Sequence, residues 1–115
     1  MGLAPDTLTF DTGDPVRVAT FWAAALGYDL VDPDPEGAYI ADPSGQTRGI
    51  FFQPVPEPKT AKNRMHLDLH TADGQRDAEV ERLIGLGATF LHDGRQGPYA
   101  WVTLADPEGN EFCVA

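Results

Sequence analysis

The sequence predicts an α+β domain made of two βαβββ modules, and three observations carry that expectation. First, the chain repeats itself: Thr7-Leu8-Thr9-Phe10-Asp11-Thr12-Gly13-Asp14 lines up with His66-Leu67-Asp68-Leu69-His70-Thr71-Ala72-Asp73. Leu26-Gly27 returns as Leu86-Gly87, and Ala41-Asp42-Pro43-Ser44-Gly45 returns as Ala105-Asp106-Pro107-Glu108-Gly109. Landmarks in constant order at nearly constant spacing mark one duplicated supersecondary unit. Second, the pattern within each half passes from a two-residue period to a helical one and back to short strands. Third, 115 residues suffice for one modest core but not for two. A single domain over 1–115 is expected, with module 1 at about 5–55 and module 2 at about 64–115.

The elements follow in order. Residues 7–12 alternate, with Leu8 and Phe10 on one face and Thr7, Thr9 and Asp11 on the other, as in a half-buried strand. Asp14-Pro15 opens a helix, Asp as cap and Pro at the first helical position. Val18, Phe21, Trp22 and Ala25 make its apolar stripe, and Gly27 stops it. Tyr28–Val31 reads as a strand broken by Asp32-Pro33-Asp34-Pro35-Glu36-Gly37. A hairpin of 38–41 and 49–53 follows, joined through Pro43-Ser44-Gly45.

The second half repeats the order. Leu67 and Leu69 oppose His66, Asp68 and His70 in a strand over 66–71, and Asp73 is placed to cap a helix bearing Val80, Leu83 and Ile84. Strands at 88–91, 100–104 and 111–114 complete it. A Pro-rich, partly basic connector, 54–64, joins the halves. In each module the Leu/Phe face of the first strand should pack on its helix. The other face then belongs to the concave side of a curved mixed sheet around a shared cleft, a natural place for a ligand.

Composition narrows the functional classes. Hydrophobic residues at 42% and aromatics at 10% are ordinary for a folded soluble chain. Eight basic against eighteen acidic residues, a formal charge of −10, disfavour nucleic acid and anionic membranes as partners. One cysteine, Cys113, cannot form an intrachain disulfide and fits a reducing compartment. The opening residues lack a signal-peptide pattern and no apolar run reaches spanning length, so a cytoplasmic location is expected. There is neither a Gly-rich phosphate loop nor a nucleophile-elbow serine.

With Phe21-Trp22-Ala23-Ala24-Ala25-Leu26-Gly27-Tyr28 and the turn Asp106-Pro107-Glu108-Gly109-Asn110 in view, the chain resembles the vicinal oxygen chelate superfamily, the glyoxalase and bleomycin-resistance-like proteins. The small glyoxalase-like branch is the nearest likeness. The resemblance implies paired βαβββ modules forming a cupped sheet, often within a homodimer. It also implies a divalent metal in many members, held from the start of each module's first strand and the end of its last. Those places are Thr7, Gln53, His66 and Cys113. Only His66 is of the usual ligand type: Thr7 stands where histidine is common, and Cys113 where a metal-binding glutamate normally follows the turn.

Two functional classes stay open. One is a small-molecule-binding protein without a tightly bound metal or other cofactor. The alternative is an enzyme, a lyase, isomerase or dioxygenase-like catalyst, using a divalent metal or an acid–base pair at His66. Metal candidates are His66, Gln53 and Glu111, the last on the same strand face as Cys113. A hard cation wants several oxygen or imidazole ligands with compensating charge, and this set offers few. His66 as general base with Asp68 as its orienting carboxylate is the catalytic candidate pair, set against a polar face that is merely hydrogen-bonded. Ligand-binding candidates are Thr7, Gln53, Arg64, His70, Trp101, Phe51, Tyr39 and Cys113. The aromatics serve equally well as core, and Lys59, Lys62 and Arg64 equally well as a solvated connector. Exposed strand edges also lead us to expect a homodimer.

Overall fold

The computed structural model describes residues 2–115. The chain divides into two compact units, one reaching to Pro58 and the other running from Lys59 to Ala115. Each has the βαβββ order, so the α+β class and the duplicated topology are as the sequence predicts.

In the first unit, β1 (Leu8–Thr12) leads into α1 (Pro15–Leu26), then β2 (Asp29–Asp34), β3 (Gly37–Ala41) and β4 (Ile50–Pro54). The sheet order is β1-β4-β3-β2, with β1 parallel to β4 and the other pairs antiparallel. Asp14 caps α1 by accepting from the Arg17 N–H at 3.2 Å, and Pro15 occupies a position that needs no donor. Gly27 ends the helix at φ 71°, a left-handed conformation that glycine adopts without a side-chain penalty. Val18, Phe21 and Trp22 are buried, as the stripe predicts, whereas Ala25 is only half-buried.

The helix-side face of this sheet is apolar. Phe10, Phe52 and Ala38 lie in register, and Ile40 aligns with Ile50. The Phe10 ring meets Phe52 at 5.3 Å and Trp22 at 6.1 Å, both edge-on, a favoured aromatic geometry. The opposite face carries Thr9, Phe51 and Tyr39 in register, with Asp11 beside Gln53. β2 runs farther than predicted, through Asp32-Pro33-Asp34. A register shift between Val31 and Asp34, with Asp32 at φ 42°, absorbs the turn-forming residues in a bulge.

The second unit contains β5 (Asp68–Leu69), α2 (Arg76–Leu86), β6 (Thr89–Gln96), β7 (Tyr99–Ala105) and β8 (Glu111–Val114), in sheet order β5-β8-β7-β6. Three expectations are corrected here. The predicted strand over 66–71 forms a regular ladder only at Asp68–Leu69. Its backbone bonds nonetheless continue on both sides, from Cys113 N–H to the Leu67 carbonyl (3.0 Å) and from Thr71 N–H to the Ala115 carbonyl (2.9 Å).

Asp73 does not cap α2. It lies in a turn closed by the Gln75 N–H on the Ala72 carbonyl at 3.0 Å, with Gly74 at φ 76°, so the helix starts later, after an uncapping Gln75. The apolar stripe of α2 is also narrower than expected: Leu83 is buried, Val80 half-buried and Ile84 exposed. Weak propensity for burial on α2 reflects its charged composition, Arg76-Asp77-Ala78-Glu79 to Glu81-Arg82. Val102, Thr103, Leu104, Ala105, Phe112 and Val114 are this unit's buried strand residues. Among the described residues no helix is long and apolar enough to cross a membrane.

Candidate functional site

The polar face of the second sheet is built by pairing register. β5 runs parallel to β8, which sets Asp68 beside Cys113, and β7 sets Thr103 on the other side of Cys113. Register partners project to the same face of a sheet, so a carboxylate, a thiol and a hydroxyl stand in a row. His66 lies two residues before Asp68 and turns its ring along the same face. Its Nδ1 is 3.0 Å from Asp68 Oδ1. With Nδ1 as the donor to the carboxylate, the other ring nitrogen, Nε2, is left to meet a ligand or a proton.

One candidate ligand atom from each of His66, Asp68 and Cys113 lies within 4.8 Å of the others. Leu67 and Leu69 are half-buried while His66, Asp68 and His70 are exposed, so the alternation read from the sequence holds through this segment. The Cys113 thiol is half-buried and exchanges a hydrogen bond with Thr103 Oγ1 at 3.6 Å. Trp101, two residues before Thr103, shares the face, and its indole occupies the space where a Cβ at Gly94 would fall. Only glycine on β6 lets the ring lie that close to the strand.

Glu111, at the other end of β8, has a different environment. Its Oε1 is 2.7 Å from Lys59 Nζ, and Oε2 accepts the Asn63 N–H at 3.0 Å. Burial by itself raises the Glu111 carboxyl, but the Lys59 hydrogen bond, the Asn63 hydrogen bond and the Lys59 charge outweigh it and hold the carboxyl below its ordinary value. The turn that delivers Glu111 is organised by the buried Asp106, which accepts from the Glu108 and Asn110 N–H groups (both 2.9 Å) and from Asn110 Nδ2 (3.0 Å). Asn110 Oδ1 in turn faces Asn63 Nδ2 at 3.4 Å. The connector is thereby stitched onto the start of β8 by Lys59 and Asn63.

The remaining candidates are placed as follows. In the second unit, Arg64 is exposed just ahead of His66, and His70 is exposed just beyond β5. In the first unit, Thr7 is exposed ahead of β1 and donates to Asp6 at 3.1 Å. Gln53 is exposed on β4, Phe51 and Tyr39 are half-buried, and the Tyr39 phenol lies over Gly49. The structure therefore joins His66, Asp68 and Cys113 directly and holds Glu111 apart in an ion pair. Sequence reasoning did not single out Thr103 or Asn63, and read Asn110 only as the last residue of the Asp106-Pro107-Glu108-Gly109-Asn110 turn. Nor did it tie Lys59 to Glu111, because a bond between residues so distant in sequence leaves no local pattern.

As a donor set, one imidazole, one carboxylate and one thiol suit a borderline ion such as Zn, with three protein ligands and an open fourth position. They suit a hard ion less, since Asp68 is the single carboxylate among them.

Comparison with known proteins agrees with this architecture. The family model described as "Glyoxalase-like domain" matches residues 7–115. Among solved structures, the chain is similar to a glyoxalase/bleomycin resistance protein/dioxygenase family enzyme from Burkholderia phytofirmans PsJN, at 21% identity over 96% of this chain and 97% of that one, TM-score 0.76. A glyoxalase-related enzyme from Fulvimarina pelagi is 20% identical over 97% of this chain and 86% of that one, TM-score 0.75. A mutant of the fosfomycin resistance protein FosX from Listeria monocytogenes, complexed with Mn(II) and 1S,2S-dihydroxypropylphosphonic acid, is 12% identical over 99% and 90%, TM-score 0.78. At these identities the likeness is one of fold. No curated protein matches significantly.

Proposed function

Because the chain belongs to the glyoxalase-like domain family of the vicinal oxygen chelate superfamily, we propose that it binds a small organic molecule on the polar face around His66, without a tightly bound metal. The carrying observation is the state of Glu111. The carboxylate best placed on β8 to serve a hard cation is already neutralised by Lys59 and hydrogen-bonded to Asn63. A second charge-compensated partner would have to break that pair. What remains open is an imidazole oriented by Asp68, a group that both binds polar ligands and moves protons. Trp101 on the same face offers an aromatic surface for a flat ligand. The reading also includes Arg64 and His70 as flanking polar contacts.

A fragment panel of planar aromatics, small carboxylates and phosphonates, screened by protein-detected NMR, tests the proposal. Hits that shift the His66 and Trp101 ring signals and lose affinity in His66→Ala support it. Hits indifferent to His66→Ala would sink it.

A second reading has its own observation, the convergence of His66, Asp68 and Cys113 within 4.8 Å. In that reading the three side chains would hold a divalent ion of the Zn type, which supplies Lewis acidity to a bound oxygen, and the protein is an enzyme of the lyase, isomerase or dioxygenase-like kind. The FosX relative from Listeria monocytogenes holds Mn(II) with its phosphonate ligand, which makes the comparison chemically pointed. Stoichiometric metal in untagged protein, removed by chelator together with activity, would favour this reading over the first. We further propose a cytoplasmic homodimer.

A further inference from the structure

We propose that Trp101 and His92 form a subsite for a neutral planar aromatic ring bearing a hydroxyl, a phenol or naphthol in class, on the polar face of the second sheet. The subsite rests on the binding role proposed for that face, but it calls on neither His66 nor a metal. Two irregularities of β6 serve this one face. The first is a bulge: Phe90 stands opposite the buried Leu104, yet His92, two residues on, stands opposite Thr103 rather than Val102. Strict alternation from Phe90 would send His92 to the helix side. The extra residue, Leu91, turns it instead to the face that carries Thr103 and Cys113. The second irregularity is Gly94, next along that face and opposite Trp101, whose indole fills the space of the absent Cβ. Trp101 is thereby seated against β6, and it is half-buried rather than buried, so part of its ring stays open to a second ring.

His92 supplies the polar half of the recognition. Its Nδ1 is 3.3 Å from the Asp93 carbonyl oxygen, which can only accept, so the neutral ring carries its proton on Nδ1 and presents Nε2 as an acceptor. The side chain is exposed, and Nε2 has no partner among the described residues. An acceptor selects a ligand that donates, as an aryl hydroxyl does and an aryl ether does not. Trp101 lies diagonally across the ladder from His92, and such neighbours stand about 7–8 Å apart, within reach of aromatic and long side chains. A ring stacked on the indole can therefore extend its hydroxyl toward Nε2. The charged residues of β6 do not share this face: Asp93 stands opposite Val102 and Arg95 opposite Ala100, both in the alternate register. With no cation of β6 directed here, a neutral phenol fits this end of the face better than an aryl carboxylate.

The test titrates the whole chain with 2-naphthol and with 2-methoxynaphthalene, which keeps the ring but cannot donate, and follows the Trp101 indole signal by NMR. Wild type should prefer 2-naphthol about three- to tenfold, the worth of one neutral hydrogen bond. His92→Ala should bind both probes alike, and His92→Gln, which restores an acceptor, should recover part of the preference. Gly94→Ala should displace the indole and weaken both probes about threefold or more. Trp101→Leu, which removes the ring without crowding β6, should weaken both as well, read there from the backbone signals of β6. An undiminished preference in His92→Ala, unchanged affinity in Trp101→Leu, or no binding of 2-naphthol to wild type would overturn the subsite. Failure of the His66-centred reading looks different. There, His66→Ala would leave 2-naphthol binding intact while His92→Ala still abolished the preference, and the subsite would stand without it.

Discussion

Lys59→Met isolates the contact that ties the connector to β8. The variant keeps the aliphatic stem but removes the charge facing Glu111. In the native protein the Glu111 side chain is 12% exposed and that of Lys59 25%, so solvent screens this pair far less than a surface one. Removing Lys59 strands a nearly buried carboxylate that retains its backbone hydrogen bonds, foremost that from the Asn63 N–H. Orphaning a fully buried ion costs 3–5 kcal/mol, and the residual exposure and surviving hydrogen bond should reduce this to about 1–2 kcal/mol at neutral pH.

The pH dependence gives a second, sharper readout. With the folded-state Glu111 carboxyl held below its ordinary value of 4.5, the pair contributes stability above that value and loses it as pH falls through the lower folded value. In Lys59→Met the burial effect that raises the carboxyl persists while the two Lys59 effects that lower it vanish, so Glu111 titrates at higher pH than in wild type. Urea unfolding at intervals from pH 3 to 7, alongside NMR titration of the Glu111 carboxyl, measures both quantities. The stability difference between the two proteins should shrink on acidification. A cost near zero at pH 7, or an unmoved Glu111 titration, would refute the reasoning.

Three further outcomes are expected. Phe52→Ala removes the fully buried ring that packs edge-on against Phe10 and should cost about 3–5 kcal/mol in chemical denaturation, whereas a loss under 1 kcal/mol would mean that the ring is not packed as described. Asp42 accepts four hydrogen bonds from Ser44 and Thr47, the Ser44 hydroxyl bond foremost, and these lower its carboxyl to about 2. Its contribution to stability is therefore present above 3.8 and lost as pH falls from there through about 2, so an NMR titration centred near 3.8 would contradict the loop geometry. Light scattering at micromolar concentrations should show a dimer that Phe90→Lys weakens, since β6 is an edge strand of its sheet and carries the exposed Phe90 and Leu91. Monomer alone throughout that range would remove the assembly proposal.

The fold was legible in the sequence because local chemistry and duplication agree. Asp14-Pro15 and Gly27 bracket α1, Phe10 and Trp22 carry matching periods, and the Asp42 and Asp106 turns repeat one another, each folding its carboxylate back onto following N–H groups. The misread places were those where one local signal had a competitor. Asp73 is a good cap residue, but Gly74 favours a turn at the same point. Pro33 suggests a break in β2, but a bulge at an edge strand accommodates it.

At the site, alternation was enough to put His66 and Asp68 on one face. Their meeting with Cys113 depends on parallel pairing between the two ends of a module, and that register is a tertiary fact. Glu111 shows the same limit. Its place on the face of Cys113 could be read from spacing, but its capture by Lys59 and Asn63 could not, because connector and strand meet only in the folded unit.

Whether recognition at His66 passes through a metal is settled most directly by calorimetric titration of the strongest fragment hit into untagged protein, with and without EDTA. The metal-free account predicts the same affinity in both, and a matching loss in His66→Ala under both conditions. Binding that disappears with EDTA and returns on adding Zn would contradict it, and would assign His66, Asp68 and Cys113 to a metal instead.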